Sequence, residues 1–93
     1  MFGDPLAALV ARALVESGVH LTCVDPTRKE HKFYRYAVQP TLFGGCDLIR
    51  QWGAIPGGRR PRQLVEHHAD APTLLAALRR GLRTRLAHGY RPT

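Results

Sequence analysis

A chain of 93 residues can hold one domain with one modest core, and 44% hydrophobic residues is ordinary for a globular protein. The formal net charge of +7 and the pI near 10.5 are not ordinary, and they direct attention to an anionic partner. No apolar run reaches membrane-spanning length, and the apolar N-terminal stretch lacks a preceding basic residue and is broken by Arg12, which argues against a signal peptide.

Asp4 to Ser17 reads as the first helix. Asp4 suits the cap, Pro5 the first helical position and Gly18 the close, while Leu6, Leu9, Val10, Ala13 and Leu14 fall on one stripe. That stripe packs on the domain or, alternatively, offers a dimerisation face. Val19 to Asp25 reads as a strand ended by Pro26, and Thr27 to His31 as a polar loop. Lys32 to Val38, KFYRYAV, is aromatic and β-branched, which favours a second strand. Pro40 to Gly45 is a breaker-rich connection. Asp47 to Ala54 is a third strand in which alternation puts Leu48, Arg50 and Trp52 on one face and Ile49 and Gln51 on the other. Pro56-Gly57-Gly58 reads as a turn and Arg59 to His67 as a fourth strand, with Pro61 confined to an edge or a strand start. Asp70 or Ala71 caps the last helix, with Pro72 in its first turn and Gly89 at its close. Leu74, Leu75, Leu78, Leu82 and Leu86 form its apolar stripe. Arg79, Arg80 and Arg83 fall opposite that stripe, as a solvated face or a steering charge. Gly81, in mid-helix, costs about 1 kcal/mol relative to alanine, and close approach of another segment would explain it.

The charge is unevenly placed. Residues 1–49 hold five basic and five acidic side chains. Residues 50–93 hold nine arginines against Glu66 and Asp70, and so carry the entire excess. An excess on one half is the electrostatic footprint of a polyanion site. The competing reading is a compositional preference for arginine, which outnumbers lysine twelve to two; it accounts for the choice of cation but not for the scarcity of acids after Arg50.

Other chemistries find little support. Cys23 and Cys46 lack metal or redox spacing and read as free thiols in a reducing, cytoplasmic compartment. His20, His31, His67, His68 and His88 show no ligand spacing, and adjacent His67 and His68 point to opposite faces of a strand. No carboxylate pair or nucleophile motif is present, so no enzyme activity, metal or cofactor is expected.

Several features in order carry a family resemblance: Val24-Asp25-Pro26, Lys32-Phe33-Tyr34, Trp52-Gly53 followed by an apolar residue and glycines, and a closing His88-Gly89-Tyr90. Together they make the chain similar to the WGR domain, named for a Trp-Gly-Arg triplet, over about Val19 to Tyr90. The loop Gln39 to Gly45 resembles that of small stand-alone bacterial members. The triplet's arginine is Ala54 here. The resemblance implies a DNA-gripping module like that of the poly(ADP-ribose) polymerases. In it Lys32 would approach phosphate, Trp52 would stack on the end of a strand, and Tyr90 would line the same surface.

The expected fold is α+β: an antiparallel sheet of four or five strands, the C-terminal helix packed across one face, and an extra N-terminal helix. Residues 1–18 form a helical extension and 19–93 the WGR-like domain, and the uncovered sheet face carries Trp52 and the arginines. The expected function is sequence-independent, non-catalytic binding of nucleic acid, DNA ahead of RNA, at ends or breaks. The residues are Lys32, Arg50, Trp52, Arg59, Arg60, Arg62 and Tyr90, in a monomer or homodimer with no membrane role. The alternative is a protein-interaction or homodimeric adaptor that docks an acidic partner protein.

Overall fold

The computed structural model describes residues 5–15, 18–55 and 60–93. The elements in chain order are α1 (Pro5–Val15), β1 (Val19–Asp25), β2 (Glu30–Pro40), β3 (Cys46–Ala54), β4 (Arg62–His68), α2 (Ala71–Ala87) and a short β5 (Arg91–Pro92). The strands form one sheet in the order β4-β3-β2-β1-β5, and every neighbouring pair is antiparallel. This is the α+β architecture expected, with five strands. The capping role of Asp4, the turn Pro56-Gly57-Gly58 and Arg59 lie outside the described residues.

Residues directly opposite across an antiparallel ladder share a face. Val19 and Leu21 lie opposite Tyr36 and Tyr34, which in turn lie opposite Arg50 and Trp52; Val38 lies opposite Leu48. This is the helix-covered face. Val19, Leu21, Tyr36 and Leu48 are buried with Leu74, Ala77, Leu78 and Leu82 of α2, and with Leu6, Leu9, Val10 and Ala13 of α1. Four of the five residues expected on the apolar stripe of α1 therefore pack into the same core, while Leu14 is exposed. The other face carries Phe33, Arg35, Ala37, Ile49, Gln51, Gln63 and Val65. A polar ladder crosses it: Arg35 Nη1 donates to Gln51 Oε1 at 3.1 Å, and Gln51 Nε2 donates to Gln63 Oε1 at 2.7 Å.

The face assignment corrects one expectation. The alternation of β3 is as read, but Leu48, Arg50 and Trp52 lie on the helix side of the sheet, not on its open side. Leu48 has no exposed surface and anchors that face inward. Arg50 is tolerated there because Glu66, on the neighbouring strand and the same face, pairs with it.

The fourth strand begins at Arg62 rather than Arg59. Pro61 has no N–H to give the ladder, so regular pairing starts after it. The β1–β2 connection is tight: the Asp25 carboxylate accepts from the Thr27 N–H and hydroxyl and from the Arg28 N–H. The Thr27 hydroxyl contributes most to lowering its pKa.

Helix α2 starts with Asp70 as N-cap, its carboxylate accepting from Thr73 N–H at 2.8 Å. It ends in a Schellman arrangement. Gly89, at φ +91°, donates to the Leu86 carbonyl, and Tyr90 N–H donates to the Arg85 carbonyl at 3.0 Å. This reversal turns Tyr90 back into the core.

Gly81 faces Tyr36, whose side chain is buried to 1% exposure; a Cβ there would lie 2.7 Å from the phenol oxygen and 3.0 Å from Cε1. The mid-helix glycine is thus the point of closest approach between helix and sheet. Gly81→Ala gains about 1 kcal/mol of helix propensity but overpacks a ring that cannot retreat, at roughly 1–3 kcal/mol. A net loss of stability is expected in urea unfolding. Tyr36→Phe, which removes the nearest atom, should shrink the loss.

Candidate nucleic-acid interface

On the helix-covered face α2 lies against β3 and β4 and meets Tyr36 of β2 at Gly81, α1 lies against β1 and β2, and the end that carries Lys32 and Ala54 is left exposed. Alternation along β2 and β3 delivers Tyr36, Tyr34 and Lys32 and, opposite them, Arg50, Trp52 and Ala54. The rings of Tyr36, Tyr34 and Trp52 form a row. Tyr34 stacks on Tyr36 with centroids 4.9 Å apart, and on Trp52 at 5.5 Å with planes 9° apart. Tyr90 meets Tyr34 edge-on at 6.1 Å. Trp52 sits half-buried at the outer end of this row, with Tyr34 behind one side of it.

Arginines flank the row. The Arg85 guanidinium lies 4.8 Å from the centroid of Tyr34 and 5.5 Å from that of Tyr90; that of Arg50 lies 5.9 Å from the centroid of Tyr36. These are cation–π distances. Arg50 Nη2 is 2.5 Å from Glu66 Oε1. The Nε atoms of Arg50 and Arg85 are buried and have no hydrogen-bond partner among the described residues. Between α2 and the sheet lies a cleft of about 140 Å³ lined by Tyr34, Tyr36, Arg50, Ala77, Arg80, Gly81, Thr84 and Arg85. One water needs only about 10–15 Å³ by this measure, so the cleft has room for a phosphate-sized anion. It brings together three cations, two phenols and the Thr84 hydroxyl, which donates to the Arg80 carbonyl at 3.0 Å. The pKa of Tyr36 is driven well above the ordinary phenol value, first by burial and then by Tyr34, with Arg50 and Arg85 opposing. The phenol therefore stays neutral through the ordinary pH range.

Of the residues expected from sequence, Arg50 and Trp52 come together here. Lys32 is exposed on the same face, beyond Tyr34 and opposite Ala54. Arg62 is exposed opposite Trp52, and Arg60 is exposed just before β4. Tyr90 is buried and edge-on to Tyr34, so it supports the row from behind. Four residues of the site are not among those the sequence singles out. Tyr34 and Tyr36 were legible as the alternating aromatics opposite Arg50 and Trp52. Arg80, on the expected solvated face of α2, and Arg85, on neither face by the apolar pattern, flank Gly81 and sit beside the close contact that it permits. Arg83 is exposed, as expected.

Two of the histidines lie beside carboxylates. His67 Nδ1 lies 2.9 Å from Asp47 Oδ1 on the open face, and His68 Nε2 lies 3.8 Å from Glu66 Oε2 on the covered face. The two do point to opposite sides of the strand. Among the described residues, no helix is long and apolar enough to cross a membrane.

Comparison with known proteins bears on this surface. The family model described as the WGR domain matches residues 17–93. The chain is also similar to the uncharacterized protein y4dW of Sinorhizobium fredii, 32% identical over 69 residues, which is 74% of this chain and 33% of that protein. It thus spans about a third of that relative's length. No solved structure matches the chain.

The aromatic row generates two expectations. The chain has one tryptophan, so its fluorescence reports on the row. Tyr34→Ala should shift the emission to the red and cost roughly 2–4 kcal/mol in chemical unfolding, whereas Tyr34→Phe keeps both. The raised Tyr36 pKa also has a definite sign. Above about pH 10 the unfolded chain releases a proton that the folded chain retains. Stability therefore falls as pH rises through that range, and Tyr36→Phe should flatten the fall in alkaline denaturation curves.

Proposed function

From the premise that this chain belongs to the WGR domain family, a binding rather than a catalytic module type associated with nucleic acid, we propose that it binds ends or breaks of nucleic acid, DNA in preference to RNA, without reading sequence. The observation that carries this reading is Trp52, half-buried and backed in parallel by Tyr34, beside a cleft with three arginines. A strand end offers two things that an unbroken duplex does not: an uncovered terminal sugar or base, and a terminal phosphate. The indole meets the first by stacking, a contact worth roughly 1–3 kcal/mol per base. Arg80 and Arg85, with Arg50, meet the second with charge-assisted hydrogen bonds. Lys32, Arg60 and Arg62 extend the cationic surface along the adjoining backbone, and Arg59 adds to the same charge in the sequence. Each phosphate neutralised releases counterions, which makes the binding salt-dependent.

No base-reading element is needed. The row is aromatic, and every base and sugar presents an apolar face to it. The polar groups around it are cations and hydroxyls, which suit phosphate oxygens. Arg50 is the most constrained of the cations, since Glu66 already holds it; its contribution is a fixed positive wall more than a free arm.

The test is fluorescence anisotropy with a short labelled duplex that bears a 5′-phosphate end, against a closed hairpin of equal charge, at two salt concentrations. Wild type should prefer the open, phosphorylated end, and Trp52→Ala should lose about tenfold or more with most of that preference. Arg80→Gln, on an exposed side chain, should weaken binding and reduce the salt slope by about 1. Equal binding to both probes, unmoved by Trp52→Ala, would leave only nonspecific charge. No binding to either at low salt would favour the docking of an acidic protein instead.

A further inference from the structure

The two edges of the sheet are treated differently. One edge ends in β5, two residues long with Pro92 in it, which is a blunted edge. The other edge is β4, seven residues from Arg62 to His68 with no proline inside it. At its centre Leu64 and Val65 are each 47% exposed, one on each face of the sheet. A strand of this length with one ladder side open is a template for another strand. Its sequence says which strand.

We infer that β4 pairs antiparallel with β4 of a second copy of this chain, with Leu64 opposite Leu64 on the two-fold axis. An axis perpendicular to the sheet keeps the covered faces of both copies on the same side, so only registers that match residues of the same face are allowed. The register centred on Leu64 places Arg62 opposite Glu66 of the other copy, twice by symmetry, and Gln63 opposite Val65. The register centred on Val65 sets Leu64 against Glu66 and Arg62 against His68, which matches neither charge nor polarity. The register centred on Gln63 sets Leu64 against Arg62 and Val65 against Pro61, so within β4 it matches no charge with its opposite. Of these registers only the one centred on Leu64 adds cation–carboxylate pairs to an apolar pair on the axis. Glu66, now held by Arg50 within its own chain, would take a second guanidinium from across the axis.

The result is a closed two-fold dimer with one continuous sheet, and growth stops there because the outer edges are the blunted ones. The two Trp52 side chains lie on the same side of that sheet. Three strand spacings across and four residues along, they are about 20 Å apart. The dimer does not depend on the nucleic-acid reading, but it would make the chain bivalent for whatever that surface holds.

The experiment is sedimentation equilibrium of the full chain over a range of concentrations, with circular dichroism to confirm folding. Wild type should show a dimer of the 10.4 kDa chain. Leu64→Lys, on an exposed side chain, should shift it to monomer. Arg62→Glu sets carboxylate against carboxylate at two symmetric places across the axis, and Glu66→Lys sets cation against cation there; each should weaken self-association by at least about tenfold. Mixing these two variants should restore dimers, because every cross-axis pair then joins opposite charges: two carboxylates of one chain face two cations of the other. Wild type that stays monomeric at roughly 1 mM would overturn the proposal. So would a dimer indifferent to Leu64→Lys and Arg62→Glu, or folded charge variants that fail to rescue one another on mixing.

Discussion

The buried Tyr36 ring beneath Gly81 sets the spacing of the two layers. Because α2 carries no side chain at that point, the helix can come close to the phenol, and the leucines on its inner stripe reach the sheet. The same contact arranges the site. Tyr36 is the innermost ring of the aromatic row, and Arg80, Thr84 and Arg85 flank Gly81 along the helix. A larger residue at position 81 would lift the helix and with it the cations that line the cleft. The packing and the lining of the cleft thus rest on one absent methyl group.

The basic excess of the second half of the chain acquires a location from this arrangement. Arg50 comes from β3, Arg62 from β4, and Arg80 and Arg85 from α2. They are far apart in sequence, yet the antiparallel β3–β4 pairing and the return of α2 across the sheet bring them to one side of the molecule. A lone acid, Glu66, moderates the group at Arg50. Three guanidinium groups around a small cleft repel one another; those of Arg50 and Arg85 are offset by the electron-rich faces of Tyr36 and of Tyr34 and Tyr90, while Arg80 is exposed to solvent. The aromatic rings thus help to hold two of the cations in place.

Local chemistry was legible in the sequence, and the side of the sheet was not. Asp70, Pro72 and Gly89 punctuate α2 as capping rules require, and β1 has the boundaries that Gly18 and Pro26 suggest. The alternation of β3 also matches its sequence pattern. What alternation cannot supply is which face turns inward. Arg50 and Trp52 argue for solvent, Leu48 for the core, and Leu48 prevails because its neighbours Val38 and Tyr36 are covered by α2. The roles of Arg80 and Arg85 were hidden for a related reason. A helical wheel separates apolar from charged positions, but residues at the border of the stripe can turn to either side, and only the crossing of helix and sheet decides. Tyr90, readable as a surface residue from its position at the end of the chain's last helix, is drawn inside by the αL turn at Gly89.

The substitution of Ala54 for the arginine of the family's triplet changes the edge of the site more than its centre. Ala54 is exposed and stands directly opposite Lys32 on the covered face, one ladder step beyond the Tyr34–Trp52 pair. Two long cations opposite one another at that place would repel, so an alanine there leaves Lys32 without a competitor for the same space. The cations at the centre, by contrast, come from Arg50 and α2, and their positions follow from Gly81 and the tyrosines. The charge that the triplet lacks is carried by the opposite strand and by the helix, at other angles to the indole, so the row and its cleft do not depend on position 54.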